Sequence, residues 1–236
     1  MSKTKGDFHM YNTVDFINKY IELEEWANNK YGEGCLKEFE DSPFDYRTRN
    51  ELFYFRKVRN LVAHSTNRNN ESQDAFIKLT DAFKARFDRI CRNLMESIQS
   101  VCVPYEKIHS CKMREKVLPT ISIMREKKYT NVPIMKGKAV WGVFSESTVF
   151  EVVGDGEMAP FNENTEFFEI RKYIIDYSRN GIYDFASCED SIDYVCKMFS
   201  DATRHGRRLD VIFITSNGNK QGDLVGLITV WDIAKL

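Results

Sequence analysis

Two strings in this 236-residue chain carry residue types at spacings suited to phosphate chemistry. In Gly226-Leu-Ile-Thr-Val-Trp-Asp232, a hydroxyl (Thr229) follows an apolar run and a carboxylate stands three residues later. A strand ending at Ile228 and a helix opening after Thr229 would leave free backbone N–H groups and a dipole that favour a phosphate. Thr229 adds a donor. Asp232, one helical turn on, can accept hydrogen bonds from both hydroxyls of a ribose. The same residues also suit a plain helix cap, with Asp232 stabilising the first turn. Gly142-Val-Phe-Ser-Glu-Ser-Thr148 repeats the glycine, the apolar pair and the hydroxyl (Ser145), but has Thr148 in place of the carboxylate. Arg207 and Arg208, just ahead of an apolar strand, could neutralise phosphate.

The second string is Arg56-Lys-Val-Arg-Asn-Leu-Val-Ala-His64. A histidine moves protons near neutral pH, and an arginine holds phosphate and stabilises charge developing on it. Arg59 and His64, with Asn60 beside the arginine, suit attack by an RNA 2′-hydroxyl on its own phosphate, a reaction that needs no metal. The alternative is structural: His64 favoured at a helix C-terminus by the dipole, and Arg59 paired with a nearby acid. From Arg47 to Arg92 the chain has eleven Lys or Arg and five Asp or Glu, which suits an RNA backbone or a solvated helix face.

The elements that must hold these residues differ between the two halves. Apolar residues recur at helical spacing from Met10 to Tyr31, from Arg47 to His64, and in a long third helix over Glu71–Ser100 that carries Phe76, Phe83, Phe87, Leu94 and Ile98. Turn residues Ser65–Asn70 separate the second from the third. Beyond Val101 short strands begin. Helix Val117–Lys127, strand Val132–Met135, turn Lys136–Lys138, strand Val140–Phe144 and helix Ser145–Val153 form one series. Helix Ser191–Thr203, strand Leu209–Thr215, turn Asn217–Gly222, strand Leu224–Ile228 and a helix from Trp231 form another. One supersecondary unit is repeated.

Residues 101–236 resemble a tandem pair of CBS domains, on Asn131–Ser145 for the first copy and on Asp210–Thr215 and Gly222–Leu236 for the second. The resemblance implies a site for an adenine nucleotide (AMP, ADP or ATP) built on Thr229, Asp232, Ser145, Arg207 and Arg208. Thr148 departs from the family's acidic position, so at most one copy is expected to bind. Arg59-Asn-Leu-Val-Ala-His64 looks like the R-N-x-x-x-H signature of HEPN domains, which implies Arg59 and His64 as catalytic, Asn60 as positioning, and a homodimer with RNA as substrate.

The expected fold class is therefore α+β: an N-terminal antiparallel HEPN-like helical bundle (1–100), then a tandem CBS pair of α/β units (101–236). Copy one covers 101–155, a connector 156–182 and copy two 183–236. The expected function is an adenine-nucleotide-binding protein with a metal-independent ribonuclease domain regulated by the nucleotide. The alternative is a non-catalytic sensor whose helical domain dimerises or docks a partner. Hydrophobic residues at 42%, charged residues at 29% and a net charge of -1 describe an ordinary folded chain, not a disordered one. No apolar run approaches the roughly 18 residues that span a bilayer, and the polar first residues lack a signal-peptide pattern, so a cytosolic location is expected. None of the six cysteines forms a C-x-x-C pair, so neither a zinc cage nor a disulfide framework is expected.

Overall fold

Among the described residues of the first hundred, helical spacing yields three α-helices that bury one stripe each. The computed structural model describes residues 13–36, 44, 46–66, 79–156, 161–175 and 182–235, with backbone alone at 65, 66 and 175. It divides into two units, Met1–Met95 and Glu96–Leu236. The class is α+β.

In the first unit, α1 (Thr13–Tyr31) buries Phe16, Tyr20, Leu23 and Ala27, spaced at one helical turn. Helix α2 (Tyr46–Thr66) buries Leu52, Phe55 and Val62, and α3 (Asp81–Met95) buries Phe87, Cys91 and Leu94. Their rings meet at the centre: Phe87 lies 4.9 Å, centroid to centroid, from both Phe16, edge-on, and Phe55, tilted. Helices α2 and α3 run antiparallel, because Glu51 pairs with Arg86 while Phe55, one turn later, meets Phe83, one turn earlier. The expected third helix is shorter than its periodicity suggests. It ends at Met95 because Glu96 accepts a hydrogen bond from Ile192 N and Ser97 turns extended (φ -71°, ψ 148°) to cap a 3-10 turn, Ile98–Ser100. Tertiary pairing overrides propensity there. Residues 10–12, most of the expected turn (67–70), the helix start at Glu71 and Phe76 lie outside the described residues.

The second unit contains the repeat, and each repeat is led by a strand that was not expected. Copy one runs β2 (Cys111–Lys112), α4 (Val117–Lys127), β3 (Asn131–Lys136), β4 (Ala139–Ser145), α5 (Glu146–Gly154). Copy two runs β5 (Tyr183–Ser187), α7 (Ile192–Arg204), β6 (Val211–Thr215), β7 (Leu224–Thr229), α8 (Val230–Ile233). A short helix, α6 (Arg171–Ile175), lies in the connector. In both copies the leading strand is parallel to the first hairpin strand and the hairpin is antiparallel. The register slips at matching places, Ile134/Met135 and Ile214/Thr215.

The chain leading into each copy is bonded to the other. Strand β1 (Val103–Pro104) lies at the start of the stretch expected to form copy one, 101–155, but pairs with β7 of copy two. Upstream of it, Ile98 N donates to Asp190 O at 2.7 Å. Downstream of copy one, Val117 N donates to Thr165 O at 2.9 Å and Phe167 N to Glu115 O at 3.1 Å. Two glycines permit this crossing. A Cβ on Gly226 would stand 2.7 Å from Val103 O, and one on Gly142 2.5 Å from Ile174 O. Met135, Val140 and Val143 pack with Tyr183, Val211, Phe213 and Leu224 to join the copies. Each such side chain contributes roughly 1.5–3 kcal/mol on burial.

Candidate functional site

The crossing of the lead-in chain over copy two creates a cleft of about 260 Å³. Strand β7 alternates: Gly226 and Ile228 face the core, while Leu227 and Thr229 are half-buried and line the cleft. Val103 sits beside Leu227 in the β1–β7 register, and the 3-10 turn after it (Tyr105–Lys107) delivers Lys107, Ile108 and His109. The opposite wall is the end of α4: Lys128, Tyr129, Thr130 and then Asn131 of β3. Val211, Trp231 and Asp232 complete the lining. Apolar floor and polar rim thus come from both copies and from the lead-in.

At the turn, both the N–H and the hydroxyl of Thr229 donate to Asp232 Oδ2, at 3.0 and 2.7 Å. Lys235 Nζ donates to Asp232 Oδ1 at 3.3 Å. Burial raises the Asp232 pKa, but the hydrogen bonds from Thr229 and Lys235 outweigh it and hold the carboxyl below its ordinary value. A carboxylate offers about four lone-pair sites, so three donors leave about one free, on Oδ1. Asn131 Oδ1 is buried and has no hydrogen-bond partner among the described residues. An orphan acceptor in a cleft wall marks a place where a donor from a ligand or water is accommodated.

The first copy builds the same turn and closes it. Ser145 N donates to Thr148 Oγ1 at 3.1 Å and Thr148 N to Ser145 Oγ at 3.3 Å, a reciprocal capping box. Ser145 is 3% exposed and Thr148 0%. Ser145 pairs with Asn131 across the β3–β4 ladder, one strand away from the cleft wall. Arg207 bonds Asp184 at 3.0 Å and Arg208 bonds Asp210 at 2.9 Å. The hydrogen bond that Arg208 donates to Asp210 raises the Arg208 pKa. The structure brings Thr229 and Asp232 into one cleft, but Ser145, Arg207 and Arg208 do not line it. Lys107, His109, Lys128 and Asn131 do, and they were not singled out from sequence. The matching of copies could have flagged Asn131, which occupies the position of Val211.

In the helical unit, Arg59 and His64 stand about 140° apart around α2, at roughly 100° per residue. Arg59 faces α1: its guanidinium reaches Glu24 at 3.4 Å and lies 5.5 Å from the Tyr20 ring centre. Its other arm donates to Asn60 Oδ1 at 3.1 Å. His64 is exposed at the end of the helix. The described residues contain no cluster of three or more metal-ligating side chains, and no helix among them is long and apolar enough to cross a membrane.

No family model and no curated protein matches this chain. Solved structures do. One is CBSX2 in complex with AMP, 11% identical over 59% of this chain and 93% of that one, TM-score 0.43. Another is a putative acetoin utilization protein from Vibrio cholerae, 15% identical over 60% and 90%, TM-score 0.44. A third is the CBS domain pair of protein MJ0100, with 5′-methylthioadenosine and S-adenosyl-L-methionine, 11% identical over 59% and 94%, TM-score 0.42.

Proposed function

We propose that the second unit is a CBS-type tandem that binds an adenine nucleotide in the cleft between Thr229–Asp232 and Lys128–Asn131. One observation carries this reading: an accessible Thr–Asp turn, an apolar floor and an orphan amide oxygen share one cleft, whereas the matching Ser145–Thr148 turn is sealed. In this reading Asp232 accepts from the ribose hydroxyls, with Lys235 displaced from Oδ1 when both bind. Val103, Ile108, Val211 and Leu227 receive the base. Asn131 Oδ1 accepts from the exocyclic amine of adenine, for which guanine, with a carbonyl at that position, offers no donor. Proteins of similar structure that carry AMP or adenosyl ligands are consistent with it. Titration calorimetry with adenosine and guanosine nucleotides tests it. Adenosine compounds bind, guanosine compounds bind more weakly, and Asp232→Ala costs roughly 10- to 100-fold in affinity, the worth of hydrogen bonds to a charged group. Absence of heat with every adenosine compound would overturn it.

A second reading concerns the helical unit, because His64 is exposed on the same helix as the half-buried Arg59. There two chains pair, the R-N-x-x-x-H strings share one cleft, and the unit cleaves RNA without metal under control of the nucleotide. The contacts of Arg59 with Glu24 and Tyr20 are equally met by a non-catalytic bundle that dimerises or docks a partner. Incubating purified protein with mixed RNA, with and without ATP, separates the two. Cleavage that His64→Ala abolishes favours the nuclease, and equal cleavage by both proteins removes it.

A further inference from the structure

The cleft wall holds more positive charge than its own carboxylate can use. Lys107 and Lys128 line it, against Asp232. Asp232 already takes three donors from Thr229 and Lys235. Among the described residues, neither Lys107 nor Lys128 forms a salt bridge. Two ammonium groups left uncompensated beside a concave surface attract an anion.

The backbone at Lys128 is a second, independent sign. Lys128 ends α4 in the left-handed region (φ 58°, ψ 36°). Every other positive-φ position among the described residues is a glycine: 32, 34, 137, 156, 206 and 218. At the end of α7, Gly206 takes the left-handed turn. Glycine is the residue that avoids the steric penalty there. A lysine kept in that conformation at the lip of a cleft fits a side chain that is needed at that spot.

We propose that the cleft selects its ligand by phosphate charge, taking ATP or ADP over AMP and adenosine, with Lys128 as the specificity-determining residue. The inference rests on the nucleotide reading above and adds a discrimination to it. Base and ribose contacts are common to the whole series, so a difference within the series reports the phosphate chain's interaction with Lys107 and Lys128. Such charge contacts weaken as salt screens them.

The test is calorimetry on the full chain with adenosine, AMP, ADP and ATP in EDTA, at low and high salt, repeated with Lys128→Asn, Lys128→Gly and Lys128→Arg. Affinity is expected to rise from adenosine to ATP by about tenfold or more, with salt eroding the gain for ATP and leaving adenosine unaffected. Lys128→Asn and Lys128→Gly, which tolerate the left-handed turn, lower ATP affinity by roughly three- to tenfold, leave adenosine binding unchanged and melt no lower than the parent. Lys128→Arg keeps the preference. Equal affinity for adenosine and ATP would overturn the selection while leaving the nucleotide reading intact. No binding of any adenosine compound would remove both. A Lys128→Asn protein with the parent's ATP preference, or one that melts lower, would return Lys128 to a purely structural role.

Discussion

Gly226→Ala is a stringent probe of how the lead-in chain shapes the cleft. A methyl at that position meets Val103 O at 2.7 Å and Cys102 Sγ at 2.5 Å, where ordinary contact begins at 3.4 Å. The sulfur can swing aside. The carbonyl belongs to a backbone paired with β7, so Val103 must retreat by about 0.7 Å, the difference between 3.4 and 2.7 Å. Overpacking of this kind costs roughly 1–3 kcal/mol, offset by up to about 1 kcal/mol because alanine restricts the unfolded chain. A net loss of about 1–2 kcal/mol lowers the melting temperature of a unit this size by roughly 3–8 °C. Scanning calorimetry reads it, with the two units followed as separate transitions where they resolve. Gly154→Ala is the control: nothing lies within 4 Å of its added methyl, and it sits in helix α5, so it is neutral or stabilising. Adding Cys102→Ala to Gly226→Ala restores only part of the loss. A Gly226→Ala protein that melts at or above the parent would refute the reasoning, because the crossing would then be looser than described.

Two further outcomes follow from single groups. The folded pKa of Asp232 lies below its ordinary value of 3.8, so its stabilisation is fully present above that value and fades as pH falls through the folded pKa. The gap in urea midpoint between parent and Asp232→Asn should be constant from about pH 7 to 5 and shrink below about pH 4. In the helical core, burial pushes the Tyr20 phenol up to about 12, and its hydroxyl has no hydrogen-bond partner among the described residues. Tyr20→Phe is therefore expected to be neutral or stabilising by up to about 1 kcal/mol in urea denaturation, and a loss larger than that would mean the hydroxyl is bonded.

Much of the second unit could be read from residue pattern because its elements are signalled locally. Val117–Lys127 is helical as its periodicity implies, the Gly137 turn falls where turn chemistry puts it, and the helices expected from Ser145 and Ser191 begin one residue later, with those serines as caps. The leading strands were not legible. Cys111–Lys112 is too short to show a period, and Tyr-Asp-Phe-Ala-Ser over 183–187 mixes polar and apolar residues because it packs between the copies. Thr229 and Asp232 were visible as candidates because they share a three-residue spacing. Lys107, His109 and Lys128 were not, since they reach the cleft from distant stretches brought together by the crossing. Periodicity also carried the third helix too far, to Ser100. Ile98 is apolar and correctly spaced, but its backbone pairs with Asp190 instead of continuing the helix.

That exchange of introductory segments makes the tandem a mutual graft: each half is finished by chain that announces its neighbour. A cut at residue 101 would strip copy two of the segment from Glu96 to Ser100 while leaving copy one's own strands whole. A cut after Gly154 would deprive copy one of Thr165–Phe167. Neither half is thus a natural cassette to excise, and proteolysis in either arm should loosen the half that arm does not lead into before the half it does.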